Sequence, residues 1–329
     1  MTDVTREATA PSRAEIARSV KDRLKSATKT NGMTMNHALA AYAIKGFLRR
    51  AAISAHADRW VVKGGNLIFA WTEDARRPTF DLDLESTAIE ALTVDELVRI
   101  YDDIAAIDIA DGLDMSMENK KVLSMTGEGV IGYSIVGQVR LGDSSIKMKL
   151  DFGFGDAITP APSIAHFPSL FRGDDSVQML TYPVETVIAE KLHAITRFGL
   201  ENTRLKDYYD LFILSTTMVI NGADMSEALR RTFASRNSRR PSQRAIELSG
   251  DLDGLSDEFV ARWSRQWTSY LKQNSMSCDR TLAEVVAEIR KFAMPLLEAA
   301  RRGDPLDNWA PTMQLWQSDA LIAPAFGVA

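Results

Sequence analysis

The residues of this chain best able to do chemistry are Val61-Val62-Lys63-Gly64-Gly65 and, after them, Thr79-Phe80-Asp81-Leu82-Asp83-Leu84. A diglycine that opens a helix offers bare backbone N–H groups to an anionic phosphate, with Lys63 as the adjoining cation. On a strand, Asp81 and Asp83 point to one face while Phe80, Leu82 and Leu84 point to the other. Two neighbouring carboxylates beside a phosphate cradle suit a hard divalent ion that carries a nucleoside triphosphate. The chemistry implied is nucleotidyl transfer.

A two-metal site needs a third carboxylate, and Ile146-Lys147-Met148-Lys149-Leu150-Asp151 offers one. Its apolar residues take one strand face and Lys147, Lys149 and Asp151 the other. Pairing that strand beside Asp81 would bring Asp81, Asp83 and Asp151 together as metal ligands. Glu85 shares the Asp83 face but lies farther along, and is expected to sit behind the ligands or in solvent.

From Val184 onward, Val184, Val187, Ile188, Leu192, Ile195 and Phe198 form one apolar helical stripe, and Lys191 falls within it. A lysine on an inward face needs an anion. That anion is either the triphosphate or a structural acid. His193 points the other way and is expected in solvent. In Lys206-Asp207-Tyr208-Tyr209-Asp210, the two aspartates share a helix face at i, i+3 spacing, placed to orient a lysine, an arginine or an attacking hydroxyl. Arg77 and Thr79 precede the Asp81 strand as a phosphate contact and a loop brace. Arg197 and Arg204 are further phosphate candidates. Six arginines between Arg230 and Arg244, among them Arg236, Arg239 and Arg240, occur with no acid and could grip an RNA backbone.

These residues need elements to hold them. Residues 13–57 read as two helices, with ten basic residues against four acidic ones over residues 1–57, expected on solvated faces or as a surface for an acidic substrate. A mixed α/β core follows over 58–182. It comprises a strand at Trp60–Lys63, a helix at Gly65–Trp71, a strand at Phe80–Glu85 and a helix at Val94–Ala105. A hairpin of Ile131–Leu141 and Ser145–Phe154 turns at Gly142-Asp143-Ser144. A loop is expected from Gly153 to Arg172. Residues 183–329 read as a helical lobe of five helices ending in an irregular tail with Pro305, Pro311, Pro324 and Gly327. The fold class expected is therefore α+β, a mixed sheet with flanking helices plus a helical C-terminal part.

Composition sets few further bounds. Hydrophobic content of 45%, charged content of 25% and a net charge of −5 describe an ordinary globular chain without a global basic signature. Cys278 is the only cysteine, which excludes an intrachain disulfide and a cysteine zinc cluster. Met1 to Ser12 is polar and lacks a signal-peptide core, and the apolar run Ala38–Leu48 is short and interrupted by Lys45. The expectation is a cytoplasmic protein with no membrane partner.

Taken in order, Lys63-Gly64-Gly65, Arg77-Pro78-Thr79-Phe80-Asp81-Leu82-Asp83, the Asp151 strand, Ala189-Glu190-Lys191-Leu192 and Arg204-Leu205-Lys206-Asp207-Tyr208-Tyr209-Asp210-Leu211 resemble the AbiEii/AbiGii-type nucleotidyltransferase toxins. These are related to the MenA-type toxins of the DNA polymerase β superfamily. The resemblance spans about residues 40–215. It implies a bilobed polymerase β-like fold, Mg²⁺ (two ions), an NTP substrate and transfer of NMP to an RNA end. For relatives, that end is the tRNA acceptor stem, and a cognate antitoxin neutralises the toxin in abortive-infection, phage-defence operons. The carry-over assigns Asp81 and Asp83 to metal, Lys191 to the triphosphate, and Asp207 or Asp210 to the final motif. Many superfamily members have Gly-Ser where this chain has Gly64-Gly65, which removes one hydroxyl contact. Two other readings compete with RNA transfer: an acceptor that is a protein hydroxyl or a small molecule, and a catalytically silent RNA- or protein-binding member.

Overall fold

Helix signals at the start of the chain convert directly into structure. In the computed structural model, residues 10–72, 77, 79–88, 90–127, 130–239, 245–248, 252–274, 276 and 278–317 are described. Helix α1 (Arg13–Asn31) starts at a capping box: Ser12 accepts from the Glu15 backbone and the Glu15 side chain accepts from the Ser12 N–H. Helix α2 (Met35–Ile53) is capped by Thr34 and packs against α1. Its charges are not on a solvated face. Arg50 is 1% exposed and makes a two-pronged ion pair with Asp111 at 2.8 and 2.9 Å, while Lys45 reaches Asp174 at 2.7 Å. The expectation of solvated faces fails here because α2 is covered by strands and by α4 (Val94–Ala105) as well as by α1.

The core is a seven-stranded mixed sheet. Its strands are β1 (Trp60–Lys63), β2 (Asp81–Ser86), β3 (Leu113–Gly127), β4 (Val130–Leu141), β5 (Ser144–Gly153), β6 (Ser163–Phe167) and β7 (Val177–Thr181), in the order β3-β4-β5-β2-β1-β7-β6. The expected hairpin is present: β4 and β5 pair antiparallel with Leu141 opposite Ser144 across Gly142-Asp143. Strands β5 and β2 then pair parallel, and β2 pairs antiparallel with β1. Apolar alternation drives this register. Leu82, Leu84, Ile146, Met148 and Leu150 are buried on one face, leaving the aspartates on the other. Phe80 breaks the expected alternation: it lies just before β2 and is 48% exposed.

Three strands were not legible in sequence. β3 extends the sheet beyond the hairpin, and β6 with β7 lies in and beyond the segment expected to be loop. After a short helix α3 (Gly65–Thr72) that follows β1, the remaining helices come from the second half of the chain: α5 (Val184–Phe198), α6 (Leu205–Thr217), α7 (Gly222–Ser238), α8 (Asp257–Gln273) and α9 (Leu282–Arg302). α5 packs on α7, and α9 gathers α6, α7 and α8. The last segment is not wholly irregular. A small hairpin, β8 (Asn308–Ala310) with β9 (Leu315–Gln317), places Trp309 at 2% exposure against Phe292. Among the described residues no helix is long and apolar enough to cross a membrane.

Candidate active site

Between the aspartate face of the sheet and helices α5 and α6 lies a cavity of about 520 Å³. The β2–β5 register sets Asp83 directly opposite Asp151 and Asp81 opposite Lys149. All three sequence-predicted carboxylates line this cavity. Asp151 is held at both oxygens: Ser134 Oγ donates to Oδ1 at 2.6 Å and Lys149 Nζ to Oδ2 at 2.6 Å. The same ammonium stands 3.6 Å from Asp81. Burial, and then the charge of Asp151, push the Asp83 carboxyl above the ordinary carboxylate range. As they stand, no three His, Cys, Asp or Glu side chains among the described residues are spaced to hold a metal ion. The donor chemistry nevertheless fits a hard cation. Three carboxylates share one face, and a lysine ammonium already fills that role beside two of them.

The glycines have a steric duty that the sequence did not reveal. Gly64 has φ +74°, and a Cβ there would lie 2.2 Å from Asp83 Oδ2. A Cβ on Gly65 would lie 2.3 Å from the Arg77 guanidinium. Any side chain at either position would displace a charged group of the cavity. Gly65 opens α3, whose first N–H groups have no intrahelical partner, and both glycines line the cavity. Asn66 ties this turn to the carboxylate strand by donating to the Asp81 carbonyl at 2.9 Å.

Lys63 lines the cavity but is engaged, donating to Glu85 at 2.6 Å and Asp156 at 2.9 Å. Glu85 is fully buried, not solvated, and its other oxygen accepts from the Asp156 backbone at 2.7 Å. Burial works to raise Asp156, yet Lys63 and Arg236 hold it well below the usual carboxylate range. Arg239 donates to Asp156 at 2.7 Å, and Arg236 to Glu190 at 2.8 Å. These two arginines, expected on an RNA surface, therefore turn inward, with side chains only 16% and 14% exposed. Arg230 and Arg231 pair with Glu227, one helical turn upstream of the run. Arg240 and Arg244 lie outside the described residues, as do Pro78 and the tail positions Pro324 and Gly327.

A second ionic network joins α5, α6 and the loop before β2. Lys191 Nζ donates to Asp207 at 2.8 Å and to Asp210 at 2.7 Å. Arg77 grips Asp210 with two parallel bonds of 2.9 and 2.7 Å and reaches Thr79 Oγ1 at 2.6 Å. Arg204 closes the chain on Asp207 at 2.8 Å. The anion that the inward Lys191 requires is thus supplied by the very aspartates marked out on the next helix. Burial alone would raise Asp210; Arg77 and Lys191 reverse it and hold the carboxylate charged. Lys191, Arg77, Arg204, Arg197 and Asp207 all line the cavity. His193 is a correction: it is 2% exposed and packs edge-on to Phe233, because α7 covers that side of α5.

Asp156, Glu190 and Lys149 are the functional candidates that sequence reading missed. Lys149 carried a signal in its shared strand face with Asp151, and Glu190 one in its place within Ala189-Glu190-Lys191-Leu192.

The family described as "Nucleotidyl transferase AbiEii toxin, Type IV TA system" matches residues 46–287. No curated protein matches the sequence. Two solved Helicobacter pylori structures are similar at a TM-score of 0.43 and 14% identity each. One, provisionally described as a nucleotidyltransferase, covers 83% of this chain and 99% of its own; the other, JHP933, covers 82% and 96%.

Proposed function

The chain belongs to the AbiEii nucleotidyltransferase toxin family, and on that premise we propose that it transfers NMP from an NTP to an RNA acceptor, the tRNA 3′ end, in a Mg²⁺-dependent reaction. The observation that carries this reading is the placement of Asp83 opposite Asp151, with Asp81 on the same face, in a cavity shared with Lys191 and Arg77. Asp81, Asp83 and Asp151 would hold the metal, which when bound supplies Lewis-acid polarisation of the triphosphate. Gly64 and Gly65 let the backbone approach a phosphate, and Lys63, Lys191 and Arg77 set a positive field around it. Asp207 and Asp210 keep Lys191 charged, and Asp210 aims Arg77, which makes both aspartates positioning residues. Thr79 fixes the Arg77 guanidinium from the opposite side.

The chain divides, on this reading, into an N-terminal helical segment (1–57), a nucleotidyltransferase core (58–182) and a helical C-terminal lobe (183–329), the cavity lying between the last two. A cognate antitoxin is the partner that a type IV toxin–antitoxin family calls for, and the cytoplasm is where NTP and RNA meet it. A second acceptor class, a protein hydroxyl or a small molecule, is favoured by one observation: Arg236 and Arg239 are held in ion pairs, not displayed.

Incubation with Mg²⁺, each α-labelled NTP and total tRNA tests the reading, with Asp81→Ala as control. Label in the RNA, falling at least about a thousandfold in the variant, is the expected result. Label on protein instead would move the acceptor, and an active Asp81→Ala would overturn the site.

A further inference from the structure

Of the four lysines that line the cavity, two are committed elsewhere. Lys63 is bound to Glu85 and Asp156, and Lys191 to Asp207 and Asp210. Among the described residues, Lys149 is the lysine within ion-pairing distance of the predicted metal ligands, while Lys206 acts on Asp83 through its charge. Its strand position puts it in register with Asp81, and its ammonium lies 2.6 Å from Asp151 and 3.6 Å from Asp81. With a side chain 33% exposed, it can leave without being driven into the core.

We propose that Lys149 is a built-in counter-cation for Asp81 and Asp151, which a divalent ion must displace, so that this lysine holds the metal affinity of the nucleotide-free protein low. The inference rests on the metal-site reading above. In the absence of metal, Lys149 relieves repulsion among carboxylates that the β2–β5 register forces together, and Ser134 keeps Asp151 aimed while the ammonium moves. A nucleotide that brings its own cation supplies the extra free energy needed to exchange one positive charge for another. Lys149 then acts as a positioning residue that ties metal entry to nucleotide entry.

Mn²⁺ titration of the nucleotide-free protein, followed by electron paramagnetic resonance, reads this directly. Lys149→Met is expected to bind Mn²⁺ about tenfold more tightly than the unsubstituted protein, a change of about 1.4 kcal/mol. Lys149→Arg, which keeps the charge, is expected to stay near the unsubstituted value. Lys149→Gln repeats the measurement should the methionine variant not stay folded. Unchanged or weaker Mn²⁺ binding by both neutral variants, with binding lost in Asp151→Asn, would overturn the role of Lys149 and leave the metal site standing. Binding that survives Asp81→Asn and Asp151→Asn would overturn the site itself, and this inference with it.

Discussion

Asp210 is 0% exposed and accepts three charge-assisted hydrogen bonds, two from Arg77 and one from Lys191. Replacing it with alanine leaves Arg77 at 5% and Lys191 at 8% exposure facing a void, with Lys191 keeping only Asp207. Breaking a buried pair by removing one partner costs about 3–5 kcal/mol, since the cost is set by the charge left behind. With a urea dependence of about 3 kcal/mol per molar for a chain of this size, a cost of about 4 kcal/mol lowers the midpoint by about 1.3 M. Urea unfolding, followed by tryptophan fluorescence and circular dichroism together, measures it. A double-mutant cycle then locates the effect: Arg77→Met with Asp210→Ala removes both charges of the strongest contact. The pair is expected to cost at least about 2 kcal/mol less than the sum of the single changes. An Asp210→Ala loss below about 1 kcal/mol, or additive single effects, would refute the idea that these charges depend on one another.

His37 is buried beside Phe80, and burial first, then the charge of Arg77, hold its pKa down to about 4, against 6.5 ordinarily. The unfolded chain takes up that proton as pH falls below 6.5 while the folded chain resists until about 4. Stability should therefore fall across that window by up to roughly 3 kcal/mol, and His37→Gln should flatten the slope. Equal slopes for both proteins would contradict it. Neutralising Arg236 and Arg239 together should lower stability by about 2–4 kcal/mol through Asp156 and Glu190, and leave the salt dependence of RNA binding unaltered. A shallower salt slope would restore them as backbone contacts.

Strong phase made part of the site readable. Asp81, Asp83 and Asp151 each sit on a strand whose opposite face is plainly apolar, so their common direction follows from alternation, and only the pairing of β2 with β5 had to be supplied. Lys191 was legible for the same reason, as a charge inside an apolar stripe. β3 was not, because its register with β4 shifts between Asp114 and Glu118 and again before Lys121, which scrambles the alternation over a stretch rich in charge. β6 and β7 are five residues each, too short for a period to declare itself. Asp156 gave no pattern at all, since its role exists only once the loop after β5 meets α7, and Glu190 stood only as a member of the block Ala189-Glu190-Lys191-Leu192. His193 and Lys45 show the limit of helix-face reasoning: a helix covered on more than one side has no solvent face to predict.

Arg77 and its acid Asp210 are 133 residues apart in the sequence. At roughly 5–20 residues per second, a ribosome takes roughly 7 to 27 seconds to get from one to the other. Through that interval the nascent chain already carries the carboxylates of β2 and then β5, but not the acids that hold the surrounding cations in place. A product cut short before α6 has Arg77 and Lys191 without the carboxylates of Asp207 and Asp210. The consequence lies in chain order: the cavity has all its charged partners only when most of the polypeptide has been made.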